Sequence, residues 1–167
     1  MNNTSDKTPD WSIEVPSEEA SAHLAACFAR VLQAPCVIYL KGDLGAGKTL
    51  FTRAYIHALG YQGYVKSPSY GLLETYEVAG QTILHLDLYR IEDPEELEYL
   101  AIRDLYREDT VLMVEWPDRG DSYLPLPDLV LEFVEIDESR FINCRIISIP
   151  GKGLAEKVIS AYQTTVL

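Results

Sequence analysis

The residues best suited to chemistry form a glycine-rich stretch, Gly-Asp-Leu-Gly-Ala-Gly-Lys-Thr, at positions 42–49. Its spacing, Gly42-x-x-x-x-Gly47-Lys48-Thr49, matches a phosphate-binding loop, in which glycines let successive backbone N–H groups point at phosphate oxygens. Lys48 could reach the β- and γ-phosphates, and the Thr49 hydroxyl could ligate magnesium. The sequence therefore predicts that this stretch binds a nucleoside triphosphate together with magnesium.

The elements predicted around the glycine-rich stretch are those that such a loop requires. Residues 36–40 form a short apolar run typical of a strand, and residues 48–59 indicate a helix that Gly60 ends. The N-terminus of that helix would add a positive dipole end to the phosphate site. We therefore expect the nucleotide to contact the loop and the first helical turn, at Asp43, Leu44, Gly45, Ala46, Gly47, Lys48, Thr49 and Leu50.

A nucleotide site of this kind also needs an acidic residue at the end of a neighbouring strand, and two residues qualify. Asp87 follows the run Ile-Leu-His-Leu, and Glu115 follows the run Val-Leu-Met-Val. The uninterrupted apolar run before Glu115 indicates a central strand beside the loop strand, which favours Glu115 as the magnesium-facing group, directly or through water. Asp87 would then orient or deprotonate the attacking water, or it simply ends a strand and faces solvent.

Further residues could adjoin this predicted site. The segment Ser67-Pro68-Ser69-Tyr70 offers two hydroxyls and a rigid proline, which suit a segment that senses the γ-phosphate; an ordinary proline turn explains the same residues. Trp116, directly after Glu115, could cover the site or serve in packing. His57 and His85 lack a recognisable partner pattern, and we interpret both as structural.

The whole sequence predicts one α/β domain, a P-loop NTPase-like three-layer sandwich with a mixed central sheet. We expect it to span residues 11–167, after a flexible N-terminal tail at residues 1–10. Alternating or continuous apolar runs indicate strands, and helical spacing indicates helices. The predicted strands are residues 11–15, 36–40, 64–65, 70–78, 82–89, 110–114, 129–135 and 141–149, and the predicted helices are residues 17–31, 48–59, 94–106 and 154–162.

Composition and charge narrow the classes of partner. The chain of 167 residues has a net charge of −12, and its acidic surplus lies entirely in residues 67–167. Such a surface repels a phosphate backbone, so we do not expect this chain alone to bind nucleic acid directly. No stretch approaches the about 20 apolar residues of a membrane span, and the three scattered cysteines are typical of a reducing compartment. We therefore expect a cytoplasmic protein.

Four motifs together resemble the bacterial TsaE family: residues 42–49, Ser-Pro-Ser-Tyr at 67–70, His-Leu-Asp-Leu-Tyr-Arg at 85–90 and Val-Glu-Trp-Pro at 114–117. The likeness extends from Ser12 to Ile149, in order and with compatible spacing. TsaE proteins are small P-loop ATPases needed for the threonylcarbamoyladenosine modification of tRNA next to the anticodon. The family usually has threonine where this chain has Ser69, so the hydroxyl is kept and the methyl group is lost.

The resemblance implies a role for each candidate residue. Lys48 and Thr49 would bind ATP and magnesium, Glu115 would complete the magnesium site, and Asp87 would have a catalytic role. Together, Lys48, Asp87 and Glu115 are the candidate catalytic residues. The resemblance also implies that Ser67 and Ser69 belong to a switch-like segment near the nucleotide. It further implies that the indole of Trp116 lies next to the nucleotide site.

The resemblance also implies two partner proteins, TsaD, which transfers the threonylcarbamoyl group, and TsaB. The family does not make the modification itself; it hydrolyses ATP so that the TsaD–TsaB assembly can reset between turnovers. We expect weak hydrolysis by the chain alone, because the sequence offers no evident arginine finger to stabilise transition-state charge. The partners, rather than this chain, would contact the tRNA.

Other nucleotide-dependent functions share the predicted loop. A small-molecule kinase would need an acceptor pocket and an arginine-bearing lid, and the arginines after Thr49 are scattered without a lid insertion. A GTPase would normally use an Asn-Lys-x-Asp motif, which none of the asparagines supplies. The kinase remains the alternative function, and a scaffold that binds nucleotide without turnover also stays open.

Overall fold

A computed structural model of the chain describes residues 7–68 and 71–165. Its strands are β1 Trp11–Glu14, β2 Cys36–Gly42, β3 Leu73–Val78, β4 Gln81–Asp87, β5 Thr110–Glu115, β6 Leu129–Ile136 and β7 Ser139–Ile146. Its helices are α1 Glu18–Val31, α2 Lys48–Ala58, α3 Glu96–Tyr99, α4 Ile102–Leu105 and α5 Ile149–Thr165. The strands form one mixed sheet of seven in the order β1-β7-β6-β2-β5-β4-β3. The predicted α/β class with a mixed central sheet is confirmed.

The four central strands of the sheet run parallel, and the strands at both sides run antiparallel. Strand β2 pairs in parallel with β5 and β6, and β4 pairs in parallel with β5. The predicted neighbourhood of the Glu115 strand and the loop strand is therefore confirmed. Because the carboxyl ends of parallel strands meet at one edge of the sheet, Gly42, Asp87 and Glu115 lie along the same edge.

Two apolar cores hold the helices on opposite faces of the sheet. Helices α1, α2 and α5 pack on one face, where the fully buried rings of Phe28 and Phe51 meet edge to face with centroids 5.5 Å apart. The short helices α3 and α4 cover the other face through Leu97 and Ile102. Burying a side chain of this kind stabilises the fold by about 1.5–3 kcal/mol. The packing of Phe51 fixes α2, and with it the loop that precedes α2.

Serine side chains begin two of the long helices. The Ser17 hydroxyl accepts a hydrogen bond from Ala20 N at 3.1 Å, which confirms the predicted start of α1. The Ser148 hydroxyl accepts from Gly151 N at 3.0 Å and starts α5 at Ile149. The predicted strand 141–149 and the predicted helix 154–162 were therefore wrong at this boundary, because the serine ends the strand region and caps the helix.

Two other local predictions were wrong. The predicted helix at residues 94–106 is divided into α3 and α4, because Ala101 adopts a left-handed φ of 49° that interrupts the helical path. Residues 64–65 form no strand; Val65 is buried there, and Lys66 N donates to the Tyr76 hydroxyl instead of to a ladder partner.

The start of the described chain is already attached to the sheet. Asp10 N donates to Cys144 O at 2.8 Å, and the Asp10 carboxylate accepts from Ile146 N at 2.7 Å. Residues 1–6 of the predicted tail lie outside the described residues. Among the helices described, none has the length and apolar character needed to cross a membrane.

The three cysteines are free and buried. Burial raises the pKa of the Cys36 and Cys144 thiols to about 12, so that they are thiols rather than thiolates. The three cysteines are therefore apolar core residues.

Candidate functional site

The glycines of the loop at residues 42–49 have backbone angles that other residues rarely adopt. Gly42, Gly45 and Gly47 have φ values of 146°, 80° and 105°. A Cβ at Gly42 would lie 2.7 Å from Phe133 O, so this position also needs glycine for its close approach to β6. A Cβ at Gly45 or Gly47 would meet no heavy atom within 4 Å. The middle of the loop therefore borders open space.

The Lys48 side chain turns back over the loop. Its ammonium donates to Gly42 O at 2.5 Å and to Asp43 O at 2.8 Å, and the residue is 4% exposed. Burial lowers the pKa of Lys48, and the nearby charges of Glu115, Asp87 and Asp43 oppose that shift. The positive charge is thus held at the mouth of the loop by carbonyl oxygens that can be replaced by other acceptors.

Trp116 lies beside this lysine. The Lys48 ammonium is 4.5 Å from the centroid of the Trp116 ring, within the range of a cation–π contact. Trp116 also packs against Tyr89 with centroids 5.1 Å apart, and Arg119 approaches both rings. Trp116 has a φ of 57°, which is unusual for a bulky residue. The indole therefore packs against its neighbours and at the same time borders the loop.

Glu115 connects the first turn of α2 with strand β4. The Thr49 hydroxyl donates to the Glu115 carboxylate, with Oγ1 at 2.9 Å from Oε1 and 3.0 Å from Oε2. His85 Nε2 lies 2.8 Å from Glu115 Oε2. Glu115 is 2% exposed and His85 is 0% exposed. The structure therefore brings together the two predicted magnesium ligands and adds a histidine.

Asp87 stands next to Glu115 across the sheet, because the two residues are register partners of β4 and β5. It is 8% exposed, so it does not face solvent at the end of its strand. Burial raises the pKa of the Asp87 carboxyl; the charge of Glu115 adds to the shift, and the hydrogen bond from Tyr89 N at 3.0 Å opposes it. A carboxylate with a raised pKa is suited to accepting a proton near neutral pH.

Pro68, in the predicted switch-like segment, is connected to Asp87 by backbone hydrogen bonds through Leu72. Pro68 O accepts from Leu72 N at 2.7 Å, and Leu72 O accepts from Asp87 N at 3.0 Å. Ser67 lies in this segment on the surface, whereas Ser69 and Tyr70 lie outside the described residues. The backbone therefore links the segment to the strand end that bears Asp87.

The predicted loop contacts differ in their surroundings. Leu44 is 71% exposed at the outside of the loop. A cavity of about 500 Å³ adjoins the loop and is also bordered by the start of α1 and the β6–β7 hairpin. Its lining includes Leu50 from α2, Ser17 from the start of α1 and Arg140 from β7. This volume is in the range of small-molecule sites.

Sequence reasoning missed His85 and this cavity. His85 lies two positions before Asp87, and residues two apart on a strand share a face, so the pattern His-x-Asp could have indicated it. The cavity walls come from segments far apart in sequence, and no local pattern indicates them.

The described residues contain no group of three or more His, Cys, Asp or Glu side chains arranged to hold a metal. Magnesium at Thr49 and Glu115 would need further oxygen ligands from outside the protein.

Comparisons with known proteins agree on one family. The family model described as "Threonylcarbamoyl adenosine biosynthesis protein TsaE" matches residues 15–142. The tRNA threonylcarbamoyladenosine biosynthesis protein TsaE of Haemophilus influenzae is 39% identical over 153 residues, covering 89% of this chain and 94% of that protein. The Bacillus subtilis protein of the same name is 36% identical over 116 residues, covering 69% and 70%.

The fold has a counterpart among solved structures. The crystal structure of Bacillus subtilis YdiB superposes with a TM-score of 0.77 at 24% sequence identity, covering 90% of this chain and 94% of that one. At this identity the likeness shows the fold alone.

Proposed function

The chain belongs to the TsaE family of tRNA threonylcarbamoyladenosine biosynthesis, and from this premise we propose that it is a magnesium-dependent ATPase that supports the partner proteins TsaD and TsaB. The observation that supports this proposal most directly is the arrangement of Lys48 and Thr49 behind a loop of three positive-φ glycines, with Glu115 bonded to Thr49. This combination of a backbone cradle, a cation and a hydroxyl–carboxylate pair suits a triphosphate with its metal.

The residues at the loop fit such a ligand. The open space around Gly45 and Gly47 leaves backbone N–H groups accessible to phosphate oxygens, and α2 begins at Lys48 with its positive dipole end. The Thr49 hydroxyl and the Glu115 carboxylate are oxygen donors, which magnesium prefers. When bound, magnesium supplies neutralisation of phosphate charge.

Each residue has a defined task in this proposal. Lys48 would donate to phosphate oxygens in place of the loop carbonyls that it now contacts, and Thr49 and Glu115 would hold the metal. Asp87 orients the attacking water and accepts its proton, a task for which its raised pKa is suited. Trp116 borders the reacting phosphates and limits the access of bulk water on that side.

The cavity beside the loop is the proposed site for the nucleoside part of ATP. It is continuous with the loop residues and has both polar and aromatic walls, including Ser17, Arg140 and Phe141. Within the chain no Asn-Lys-x-Asp motif is present to select guanine, so we propose ATP rather than GTP as the substrate.

The proposed partners agree with the charge of the chain. Its net charge of −12 disfavours direct contact with tRNA, so that contact is assigned to TsaD and TsaB. We also expect the low rate of an isolated chain to rise when these partners bind. The proposal includes a cytoplasmic location, where the tRNA of this pathway is found.

The experiment that tests the proposal is steady-state ATP hydrolysis by the purified chain, alone and with TsaB plus TsaD. Lys48→Ala serves as the blank, and Lys152→Ala, at an exposed position of α5, serves as the matched lysine control. We expect a low rate that rises with the partners and vanishes only in Lys48→Ala. A hydrolysis rate that does not change when the partners are added would show that the ATPase does not act with TsaB and TsaD. Transfer of phosphate to a small-molecule acceptor would favour the kinase alternative.

A further inference from the structure

We propose that His85 is a positioning residue for Glu115, whose imidazole fixes the orientation of the carboxylate at the magnesium site. This inference rests on the proposed function, because the metal site is part of that function. It assigns a role to a side chain that lies behind the reacting groups and does not touch the nucleotide.

The contact between the two side chains is short and fully enclosed. His85 Nε2 lies 2.8 Å from Glu115 Oε2, and the pair has almost no contact with solvent. A carboxylate oxygen accepts hydrogen bonds, so Nε2 must bear the proton. The imidazole therefore donates to the same carboxylate that accepts from the Thr49 hydroxyl on its other side.

The other ring nitrogen shows that this histidine is not an ordinary core residue. Within the described part of the chain, His85 Nδ1 is buried and has no hydrogen-bond partner. Burying such an atom unpaired costs free energy, and an apolar side chain would avoid that cost. On the same face of the sheet, Ile83 two residues earlier and Met113, the register partner of His85, are apolar core residues. The polar group at position 85 is therefore tolerated for its one hydrogen bond, which goes to Glu115.

The sheet register explains why the histidine reaches this carboxylate. Asp87 is the register partner of Glu115, and His85 lies two residues earlier on β4, on the same face. Strand β4 thus places the Asp87 carboxyl group beside Glu115 and the His85 imidazole behind it. The Thr49 hydroxyl can rotate about its bond to carbon, whereas the enclosed imidazole is held by the core. His85 is accordingly the fixed reference for the carboxylate.

The expected effect follows from the behaviour of metal sites. Groups that hydrogen-bond to metal ligands typically change metal affinity or activity by about 10- to 100-fold when they are removed. His85→Leu retains much of the volume but removes the donor. His85→Gln retains an N–H donor, since its amide nitrogen can reach the place of Nε2. We expect the first variant to weaken the magnesium dependence of ATP binding by about 10-fold or more, and the second to restore it to within a few-fold.

The experiment measures binding as well as turnover. ATP is titrated into wild type, His85→Leu, His85→Gln and the control His57→Leu, with and without magnesium, by calorimetry. His57 is a suitable control because its Nε2 contacts Gly63 O on the surface, outside the site. We expect the affinity for ATP without magnesium to be similar in all four proteins, and only His85→Leu to lose the gain that magnesium gives.

A second readout does not depend on the metal, the nucleotide or activity. Nitrogen NMR of the imidazole rings in the wild-type protein should show His85 with a proton fixed on Nε2. Replacing Glu115 by leucine should remove this fixed tautomer. If the ring shows the opposite tautomer, Nε2 donates nothing to Glu115 and the inference is overturned.

The outcomes separate the inference from the function on which it rests. A wild type that binds ATP with magnesium, together with an unaltered His85→Leu, overturns the positioning role alone. An equal loss of affinity with and without magnesium in His85→Leu, not recovered in His85→Gln, shows a merely structural residue and also overturns it. A wild type without magnesium-dependent binding overturns the proposed function, and the positioning role with it.

Discussion

The Lys48 ammonium lies 4.5 Å from the centre of the Trp116 indole, so the principal cation of the loop rests against an aromatic ring. Trp116 holds this place with a left-handed backbone, directly after Glu115 at the end of β5. A glycine would adopt that backbone more easily, which indicates that the indole itself is required at this position. Movement of Lys48 towards a phosphate would change the electrostatic environment of the ring.

Trp116 should therefore report nucleotide binding by its fluorescence. The chain has two tryptophans, and Trp11→Phe leaves Trp116 as the single tryptophan, which can be excited selectively above the absorption of tyrosine. We expect ATP to change the emission of this variant, because the Lys48 charge leaves the ring. The change should vanish when Lys48→Ala is added. The reciprocal variant Trp116→Phe, which retains Trp11 in β1, should show no response; an equal response there would contradict the prediction.

Asp87→Asn should stabilise the protein at neutral pH. The pKa of Asp87 is raised from 3.8 in the folded protein, chiefly by burial. A carboxyl whose pKa is higher in the folded than in the unfolded protein binds its proton more tightly in the folded state. Its contribution to the free energy of unfolding is therefore complete below the pKa of the unfolded protein, and it is lost as the pH rises through the pKa of the folded protein. The asparagine side chain keeps an oxygen that accepts the hydrogen bond from Tyr89 N. Because it does not ionise, the variant does not lose this stability as the pH rises. The stability of the variant relative to wild type should therefore increase from about pH 4 to about pH 7.

Thermal unfolding across this pH range checks the prediction, with exposed Asp104→Asn as the control. The same Asp87 variant should bind ATP and lose turnover, because its amide cannot accept the proton of the attacking water. A stability difference that does not change with pH would show that burial of the Asp87 charge is not the cause. An unchanged turnover would remove Asp87 from the catalytic group.

Glu115→Ala should abolish hydrolysis and weaken ATP binding in the presence of magnesium. The substitution removes the carboxylate and also leaves the Thr49 hydroxyl and His85 Nε2 without their acceptor. Of these two donors His85 Nε2 is fully buried, and a buried donor left unpaired costs about 1–3 kcal/mol, so the free energy of unfolding should fall as well. Exposed Glu108→Ala is the matched control and should change neither property. Full turnover in Glu115→Ala would exclude this residue from the site.

Two alanine substitutions at glycines should act in opposite directions. At Gly42 a Cβ would lie 2.7 Å from Phe133 O and the φ of 146° is unfavourable, so Gly42→Ala should destabilise the fold by about 1–3 kcal/mol. At Gly153, inside α5, a Cβ meets no atom within 4 Å, and Gly153→Ala should stabilise it by about 0.5–1 kcal/mol. Denaturant unfolding measures both. A Gly42→Ala variant as stable as wild type would contradict the close approach of the loop to β6.

Much of the fold and part of the site can be predicted from local patterns of the sequence. The loop is predictable because its spacing determines its backbone, and the strand before Glu115 is predictable because a strand buried on both faces is apolar throughout. The meeting of Thr49 with Glu115 then follows, because parallel strands end at a common edge. All of these inferences use neighbours in sequence or a general rule of sheets.

The remaining features are not visible in the hydrophobic pattern of one element. His85 reaches Glu115 through the register of β4 against β5, which one strand read alone does not specify. Ala101 takes a left-handed conformation although alanine is the best helix former, so helix propensity does not indicate the break there. Ser148 starts α5 several residues before the apolar helical pattern becomes visible. For His85 the decisive partner lies on another strand, outside the local window.

The order of the sheet also determines how molecules of this protein can meet. Among the described strands, β1 and β3 are the edges, and each has an unpaired backbone side to which another strand could add. Glu14 lies in β1, and Glu74 and Glu77 lie in β3, so the pairing of two copies would bring like charges together. Strand pairing between two copies is therefore disfavoured near neutral pH, and it becomes easier only where acid neutralises these glutamates.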